Sequence, residues 1–271
     1  MVVVTATLFT WSCMGDLEVP SDHNIKIFQF AENVGDSTMA LLGDLDAGEI
    51  NIVKSYYTER TTANFAFSTQ GENVKAYLDD SLLVENIITA NFENLNADSL
   101  YYKHTLRTIA EDGNFREYTI WISYLPVVRH DQFKQDLADI DAYIADNIAD
   151  SVIKHWSGIR YVLHHQGNGI SPLRSDFITA NYHGYLLDST TFDSGTLTNQ
   201  KLLDLIPGWQ VMFPLLNSSF IEDVDNPGQD TGTADQVTMF LPSDLGYGDN
   251  ETASISANSV LVFDARLVRV Q

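Results

Sequence analysis

The stretch Asn181–Gly195, NYHGYLLDSTTFDSG, decides how the C-terminal half of this chain is read. It continues a run, DFITANYHGYLL (Asp176–Leu187), rich in the β-branched and aromatic residues that strands favour. Alternate strand residues face opposite sides, so Ile178, Ala180 and Tyr182 share one face, with Phe177, Thr179, Asn181 and His183 on the other. Tyr182 thus points where the small apolar residues point, inward. A turn at Leu187-Asp188-Ser189 leads to Phe192 and Asp193 before the chain bends at Gly195. Asp193 is either a catalytic acid or a group that shapes an apolar pocket. It has no second carboxylate or histidine at motif spacing, and Ser/His/Asp and His-Glu-x-x-His patterns are absent from the chain. The residues therefore assign it a hydrogen-bonding role.

Further segments add to this one. In LIPGWQVMF (Leu205–Phe213), Pro207 suits the first position of a helix, and Trp209, Met212 and Phe213 fall on one helical face. PSDLGYGDN (Pro242–Asn250) sets Tyr247 between two glycines, which let the backbone turn sharply and leave the phenol free to lean over a neighbour. ISANSVLVFDARLV (Ile255–Val268) ends in a strand with apolar residues on both faces through Phe263. GIRYVLHHQ and DQVTMFLP also read as strands, with the Gly-rich QGNGISP, DSGT and LGYGDN as turns between segments. This order predicts a half-covered antiparallel sheet with one short helix.

From Asn24 to Val128 the chain reads as strands: IKIFQF, INIVKSYY, NFAFST, ENIITANF, LYYKHTLRTI and EYTIWISYL. Asp112-Gly113 marks a hairpin, and the spacing suggests an all-β sandwich in which Tyr56, Tyr57, Tyr101, Tyr102 and Trp121 pack. The period then changes. In DQFKQDLADIDAYIADNIAD, Phe133, Leu137, Ile140, Ile144 and Ile148 form one helical stripe, with Asp131 available as N-cap and Asp136, Asp139, Asp141 and Asp146 on the other faces. The stripe is expected to cover a domain surface, since one short helix makes a weak dimer seam. The expected organisation is a segment 1–15, a mainly-β, sandwich-like N-terminal domain over 16–128, a linking helix over 129–150 and a C-terminal domain over 151–271, an α+β chain overall.

With 37 acidic against 15 basic residues and a formal charge of -22, the chain is a poor ligand for nucleic acid or an anionic membrane. The single cysteine rules out an internal disulfide. MVVVTATLFTWSC places an apolar, Thr-rich run and small Ser12 before Cys13, followed by the acidic MGDLEVPSD. That is the shape of a truncated secretion signal ending at a lipid-modified Cys13, although no Lys or Arg precedes the run and Trp11 and Thr10 depart from the usual pattern. VVVTATLF is also good strand material, which would make Cys13 a buried residue of an edge strand. The expectation is an anchor at Cys13, with a soluble secreted chain as the alternative. Adjacent His164 and His165 would point to opposite faces of a strand and so cannot readily share one metal ion. Asp223, Asp225 and Gly228 have the phase of a calcium loop, but Pro227 takes the fifth position and Ala234 the twelfth, where a bidentate Glu belongs. No metal or cofactor is expected.

Taken in order, NYHGYLLDSTTFDS, LIPGWQ, LPSDLGYGDN and SANSVLVFDARLV resemble the FKBP-type peptidyl-prolyl cis-trans isomerases, over about Ser157 to Val270. Five ordered elements carry the likeness: a Tyr-x-Gly strand, a Phe-Asp pair, an Ile-x-Gly-Trp helix start, a Tyr-Gly loop and a closing Leu-Val-Phe strand. The acidic helix before the domain and SGIRYV resemble secreted bacterial lipoprotein members. The resemblance implies an antiparallel sheet wrapped on a short helix. It also implies a proline pocket lined by Tyr182, Phe192, Asp193, Leu205, Ile206, Trp209, Tyr247, Ile255 and Phe263. Trp209 would be the floor, the Ile206 amide and the Tyr247 hydroxyl would hold substrate carbonyls, and Asp193 would bond Tyr182. Proline-containing polypeptides are the implied partners, with membrane contact only through the lipid anchor. The chain departs from the family in two places. TLTNQKLLDLIPGW lacks the aromatic wall usual there, leaving Leu202 or Leu203 to fill it or the pocket more open. An insertion, LLNSSFIEDVDNPGQDTGTADQ, replaces the usual Met-x-x-Gly bend. A folding isomerase for exported proteins is the leading expectation. A holdase that kept the fold, or an N-terminal adhesion domain with the isomerase as passenger, are the alternatives.

Overall fold

Alternating hydrophobicity in the N-terminal half produces two sheets around one core. The computed structural model describes residues 24–31, 39–55, 61–218 and 233–271, and the chain divides into two units whose boundary falls between His130 and Asp131. The first unit contains β1 (Ile25–Phe30), β2 (Met39–Asp44), β3 (Glu49–Lys54), β4 (Thr62–Thr69), β5 (Lys75–Leu78), β6 (Ser81–Leu82), β7 (Ile87–Asn91), β8 (Tyr101–Ile109) and β9 (Phe115–Ser123). The sheets run β1-β4-β7 and β2-β3-β9-β8-β5-β6, and β3 pairs with β9 in parallel. Alternation turns Phe65 and Phe67 of β4, and Tyr118, Ile120 and Ile122 of β9, into one shared apolar cluster. Phe28 stacks on Phe65 and Phe67 with centroids 5.9 and 6.2 Å apart. The Ile25 N–H of one sheet donates to the Tyr118 hydroxyl of the other at 2.8 Å. The result is a sandwich.

Some details differ from the sequence reading. MALLGD, KAYL and SL form β2, β5 and β6, short stretches of weak strand propensity that neighbouring strands recruit by pairing. Tyr101 and Trp121 do not pack inside. They meet edge to face at 4.8 Å on the opposite side of the sheet from Tyr118, Ile120 and Ile122, and Tyr101 stacks on His130. Tyr102 does pack against the core cluster, while Tyr56 and Tyr57 lie outside the described residues. The β8–β9 hairpin turns at Gly113, whose φ of 85° is the left-handed conformation expected of Asp112-Gly113.

The second unit holds α1 (His130–Asn147), which it shares from Asp131 onward, β10 (Ile153–Lys154), β11 (Arg160–His165), β12 (Phe177–Tyr185), β13 (Thr191–Lys201), α2 (Pro207–Met212), β14 (Gln236–Leu241) and β15 (Leu261–Val270). Its antiparallel sheet runs β10-β11-β14-β15-β12-β13. Asp131 is not the N-cap of α1: a 3₁₀ turn over Val127–Arg129 runs directly into the helix, which leaves Asp131 in its first turn. There its charge still favours the helix dipole. Ile140, Ile144 and Ile148 pack on Phe240, Val262, Tyr185 and Leu187. Phe133 and Leu137 close on Gly158, where an added Cβ would stand 2.5 Å from the Phe133 ring.

Pro207 stands at the start of α2, which crosses the opposite face of the sheet, with Gly208 so near Leu241 that a Cβ there would stand 2.5 Å from it. The sheet is therefore covered by a helix on each side. Two acids expected on open faces of α1 are engaged: Asp136 is buried, and Asp141 accepts hydrogen bonds from Arg160 and Lys154, each at 3.0 Å. Burial alone would raise the Asp141 carboxyl, but the two cations outweigh it and hold the group below its ordinary value.

DSGT is not a turn. Asp193 to Thr196 lie inside β13 and pair in register with Gly184, His183, Tyr182 and Asn181. Gly, Ser and Asn are poor strand formers, so β13 owes its form to its partner strand. The chain ends flanking the insertion are closed into a neck: Ser218 bonds Gly169 and Ile170, and Thr233 bonds Asn168. Asp235 accepts the N–H groups of Gly167 and Asn217. Gly167 is required here, because a Cβ would meet the Asn217 carbonyl at 2.6 Å. Asp223, Asp225 and Gly228 lie outside the described residues.

Candidate functional site

The face of the sheet under α2 carries Ile178, Ala180, Tyr182 and Gly184 along β12, with Phe263 of β15 paired beside Gly184. Any side chain at 184 would collide with its neighbours, since a Cβ there would stand 2.6 Å from the Phe192 ring and 2.9 Å from Phe263. That is why glycine follows Tyr182 two residues on. Strict alternation would send Phe192 and Asp193 to opposite faces. Instead Gly184 pairs with Asp193 and Tyr185 with Thr191, leaving Phe192 as the extra residue of a bulge. The bulge lets both serve one site: the Phe192 ring meets Phe263 edge-on at 5.5 Å, and Asp193 Oδ2 accepts the Tyr182 hydroxyl at 2.8 Å.

Trp209 is the centre of the group. It is buried, stacks on Phe213 at 4.6 Å, and meets Tyr182 at 5.5 Å and Phe263 at 5.3 Å edge to face. Such offset and T-shaped pairs are the favoured aromatic geometry. Its indole N–H has no hydrogen-bond partner among the described residues. Tyr247 is half-buried, and it belongs electrostatically to the same site. Burial raises its phenol, and the Asp193 charge raises it further. Burial, the Asp193 hydrogen bond, the Asp193 charge and Tyr247 together push Tyr182 up to about 12. Both phenols therefore stay neutral donors at neutral pH.

Leu205 and Ile206 are half-buried just before α2. Ile206 caps the helix: its carbonyl accepts the Trp209 and Gln210 N–H groups, while no hydrogen bond among the described residues engages its own N–H. Buried Gln210, which the sequence did not single out, donates to the Leu203 and Leu205 carbonyls at 3.1 and 2.6 Å and accepts from Arg174 at 3.0 Å. It ties down the stretch that lacks an aromatic wall. Leu202 there is fully buried and Leu203 half-buried. Ile255 is buried in a turn closed on Thr252. Cys13 lies outside the described residues. His164 bonds Thr238 and His165 bonds the Ala234 carbonyl, so the two rings have separate partners. Among the described residues no group of three or more His, Cys, Asp or Glu could hold a metal ion. Among the described residues of the N-terminal unit an open polar hollow of about 290 Å³ is lined by Tyr77, Asp79, Asp80, Thr105, Arg107 and Glu117, with the Arg107 guanidinium already bonded to Glu117.

An antiparallel sheet wrapped on a short helix, with an aromatic cluster between them, defines the class of the C-terminal region. Residues 169–268 match the family of FKBP-type peptidyl-prolyl cis-trans isomerases. Over this region the chain is homologous to bacterial FkpA-like proteins. The chain is 32% identical over 136 residues to a probable FKBP-type peptidyl-prolyl cis-trans isomerase FkpA of Neisseria meningitidis serogroup B, covering 48% of this chain and 44% of that one. It is 28% identical over 144 residues to the outer membrane protein MIP of Legionella longbeachae, covering 51% and 55%. The crystal structure of FkpA from Escherichia coli aligns with a TM-score of 0.40 at 23% identity, over 52% of this chain and 61% of that one. The chain spans about half the length of the curated relatives it matches.

Proposed function

We propose that this chain is a peptidyl-prolyl cis-trans isomerase acting on X-Pro bonds of exported polypeptides. The observation that carries the reading is the convergence of Tyr182, Phe192, Trp209 and Phe263 on one another, with Asp193 bonded to Tyr182 at its edge. Rotation about a peptide bond faces a barrier of ~18–20 kcal/mol from amide resonance. X-Pro isomers are nearly equal in energy yet exchange slowly. Catalysis here needs neither a nucleophile nor proton transfer, only a surface that favours the twisted amide over the planar one. A twisted amide has lost charge separation, so an apolar aromatic groove disfavours the polar planar form more. In this reading Trp209 is the floor under the prolyl ring, with Leu205 and Ile255 lining it. The uncommitted Ile206 N–H and the neutral Tyr247 hydroxyl grip substrate carbonyls, fixing one side while the other rotates.

A proline-limited refolding reaction tests this. Micromolar enzyme should accelerate the slow phase, and Asp193→Ala and Phe263→Ala should suppress that acceleration. A slow phase unchanged by the wild-type chain overturns the reading. A second reading, a holdase that kept the fold with weak turnover, is favoured by half-buried Leu203 in the stretch where the family carries an aromatic wall. Equal suppression of aggregation by wild type and Asp193→Ala, without faster refolding, would select it. The apolar run before Cys13, together with the outer membrane protein among the relatives, supports a location outside the cytoplasm with a lipid on Cys13. Incorporation of labelled fatty acid that Cys13→Ser abolishes would test the anchor.

A further inference from the structure

The segment matching the isomerase family begins at residue 169, yet a side chain from well before it reaches the Tyr247 loop. Asp136 of α1 is 1% exposed. Its Oδ2 accepts the Ser243 N–H at 2.7 Å and the Ser243 hydroxyl at 2.6 Å, and its Oδ1 accepts from Gln132 at 2.7 Å. The Ser243 carbonyl in turn accepts the N–H groups of Gly246 at 2.9 Å and Gly248 at 2.8 Å. Those are the two glycines flanking Tyr247. Gly248 completes the turn with a φ of 61°, and its carbonyl accepts the Asn258 N–H at 2.7 Å. One carboxylate on the helix thus holds the single residue on which both sides of the Tyr247 loop are hung.

A buried carboxylate is a poor way to fasten a helix to a sheet. Desolvating it is costly unless every bond is satisfied, and apolar residues fill such a position with less penalty. The apolar stripe of α1 already fastens it, through Phe133 on Gly158 and Ile140 on Phe240 and Val262. What the acid adds is direction: charge-assisted bonds to both the N–H and the hydroxyl of Ser243 allow that residue one orientation.

We infer that Asp136 is a positioning residue for Tyr247, which makes α1 a working part of the isomerase site as well as a linker. The inference rests on the reading above that Tyr247 grips a substrate carbonyl. Asp136→Asn and Asp136→Ala, made in the full chain in wild-type and Tyr247→Phe backgrounds, test it. In the wild-type background kcat/KM should fall ~5- to 10-fold, mainly through KM, as expected for a misplaced hydrogen-bond donor. In the Tyr247→Phe background the same substitutions should change it less than about twofold, because residues acting as a unit are non-additive. A merely structural bond would give equal losses in both backgrounds, and that result overturns the inference. An independent readout is the fluorine signal of 3-fluorotyrosine placed at 247. It should move toward the free amino acid in both Asp136 variants, and an unchanged signal in a folded variant also overturns the inference. Should wild type prove inactive, the proposed function falls while the fluorine signal still decides the role of Asp136. Should Asp136→Ala fail to fold, Asp136→Asn and Ser243→Ala give the same reading.

Discussion

Both units of this chain are built around clusters of aromatic rings, and the clusters differ in what they leave exposed. In the N-terminal sandwich Phe28 stacks on Phe65 and on Phe67 at the centre, and the three are exposed by 0%, 0% and 5%. In the C-terminal unit Trp209 and Phe263 are equally buried, but Tyr182, Phe192 and Tyr247 around them are half-buried. These three rings are closed off and carry no polar tip. The second presents phenols whose ionisation is suppressed by burial and by Asp193. The lesson is that aromatic content does not mark a site. A site is marked by rings that are packed on one edge, open on the other, and joined to a group that orients them.

The largest effect that would sharpen this contrast is a truncation in the closed cluster. Phe65→Ala should cost the N-terminal unit about 3–5 kcal/mol, read by urea unfolding, because a buried ring leaves a cavity. Refolding catalysis by the C-terminal unit should survive it; joint loss would break the contrast. Next comes Gly184→Val. It forces a side chain against Phe192 and Phe263, and should cost about 1–3 kcal/mol by overpacking while abolishing the acceleration of refolding. A variant that keeps full activity would mean those rings do not frame the groove.

The smallest effect concerns the phenol. Tyr182→Phe removes one hydrogen bond to an exposed carboxylate and should cost about 1 kcal/mol. Its pH signature is separable. The folded value, about 12, lies above the ordinary 10, so the folded state holds this proton more tightly than the unfolded one. The associated stability is complete below pH 10 and is lost as pH rises through 12. Phenolate absorbance, taken as the difference between wild type and Tyr182→Phe, should show this tyrosine ionising late. Asp193→Asn should bring that titration down toward 10, and no movement would remove Asp193 as its partner.

Much of this was legible in local pattern. Period-two alternation revealed β4, β9 and β12, Pro207 marked the start of α2, and the spacing of Phe133, Ile140 and Ile144 revealed α1. β13 was not legible, because Asp193-Ser194-Gly195-Thr196 has turn chemistry and becomes strand only by pairing with β12. Asp136 read as one surface acid among several, since nothing in its neighbourhood along the chain announces Ser243 more than a hundred residues on, at a separation of 107. The Phe192 bulge was hidden for a related reason: a strand's register is a property of two strands, and only one is adjacent in sequence.

The sequence by itself determined the residue types: a helix start at Pro207, an acidic helix, a glycine two residues after Tyr182, and an aspartate with no partner for acid catalysis. Those follow from the conformational preferences of single residues and short periods, which act within a few positions along the chain. Tertiary structure decided which of these residues meet. The bulge put Phe192 and Asp193 on one site, and burial turned Asp136 from a solvated charge into a tether. Such effects depend on distances across strands and between layers, which no local pattern encodes.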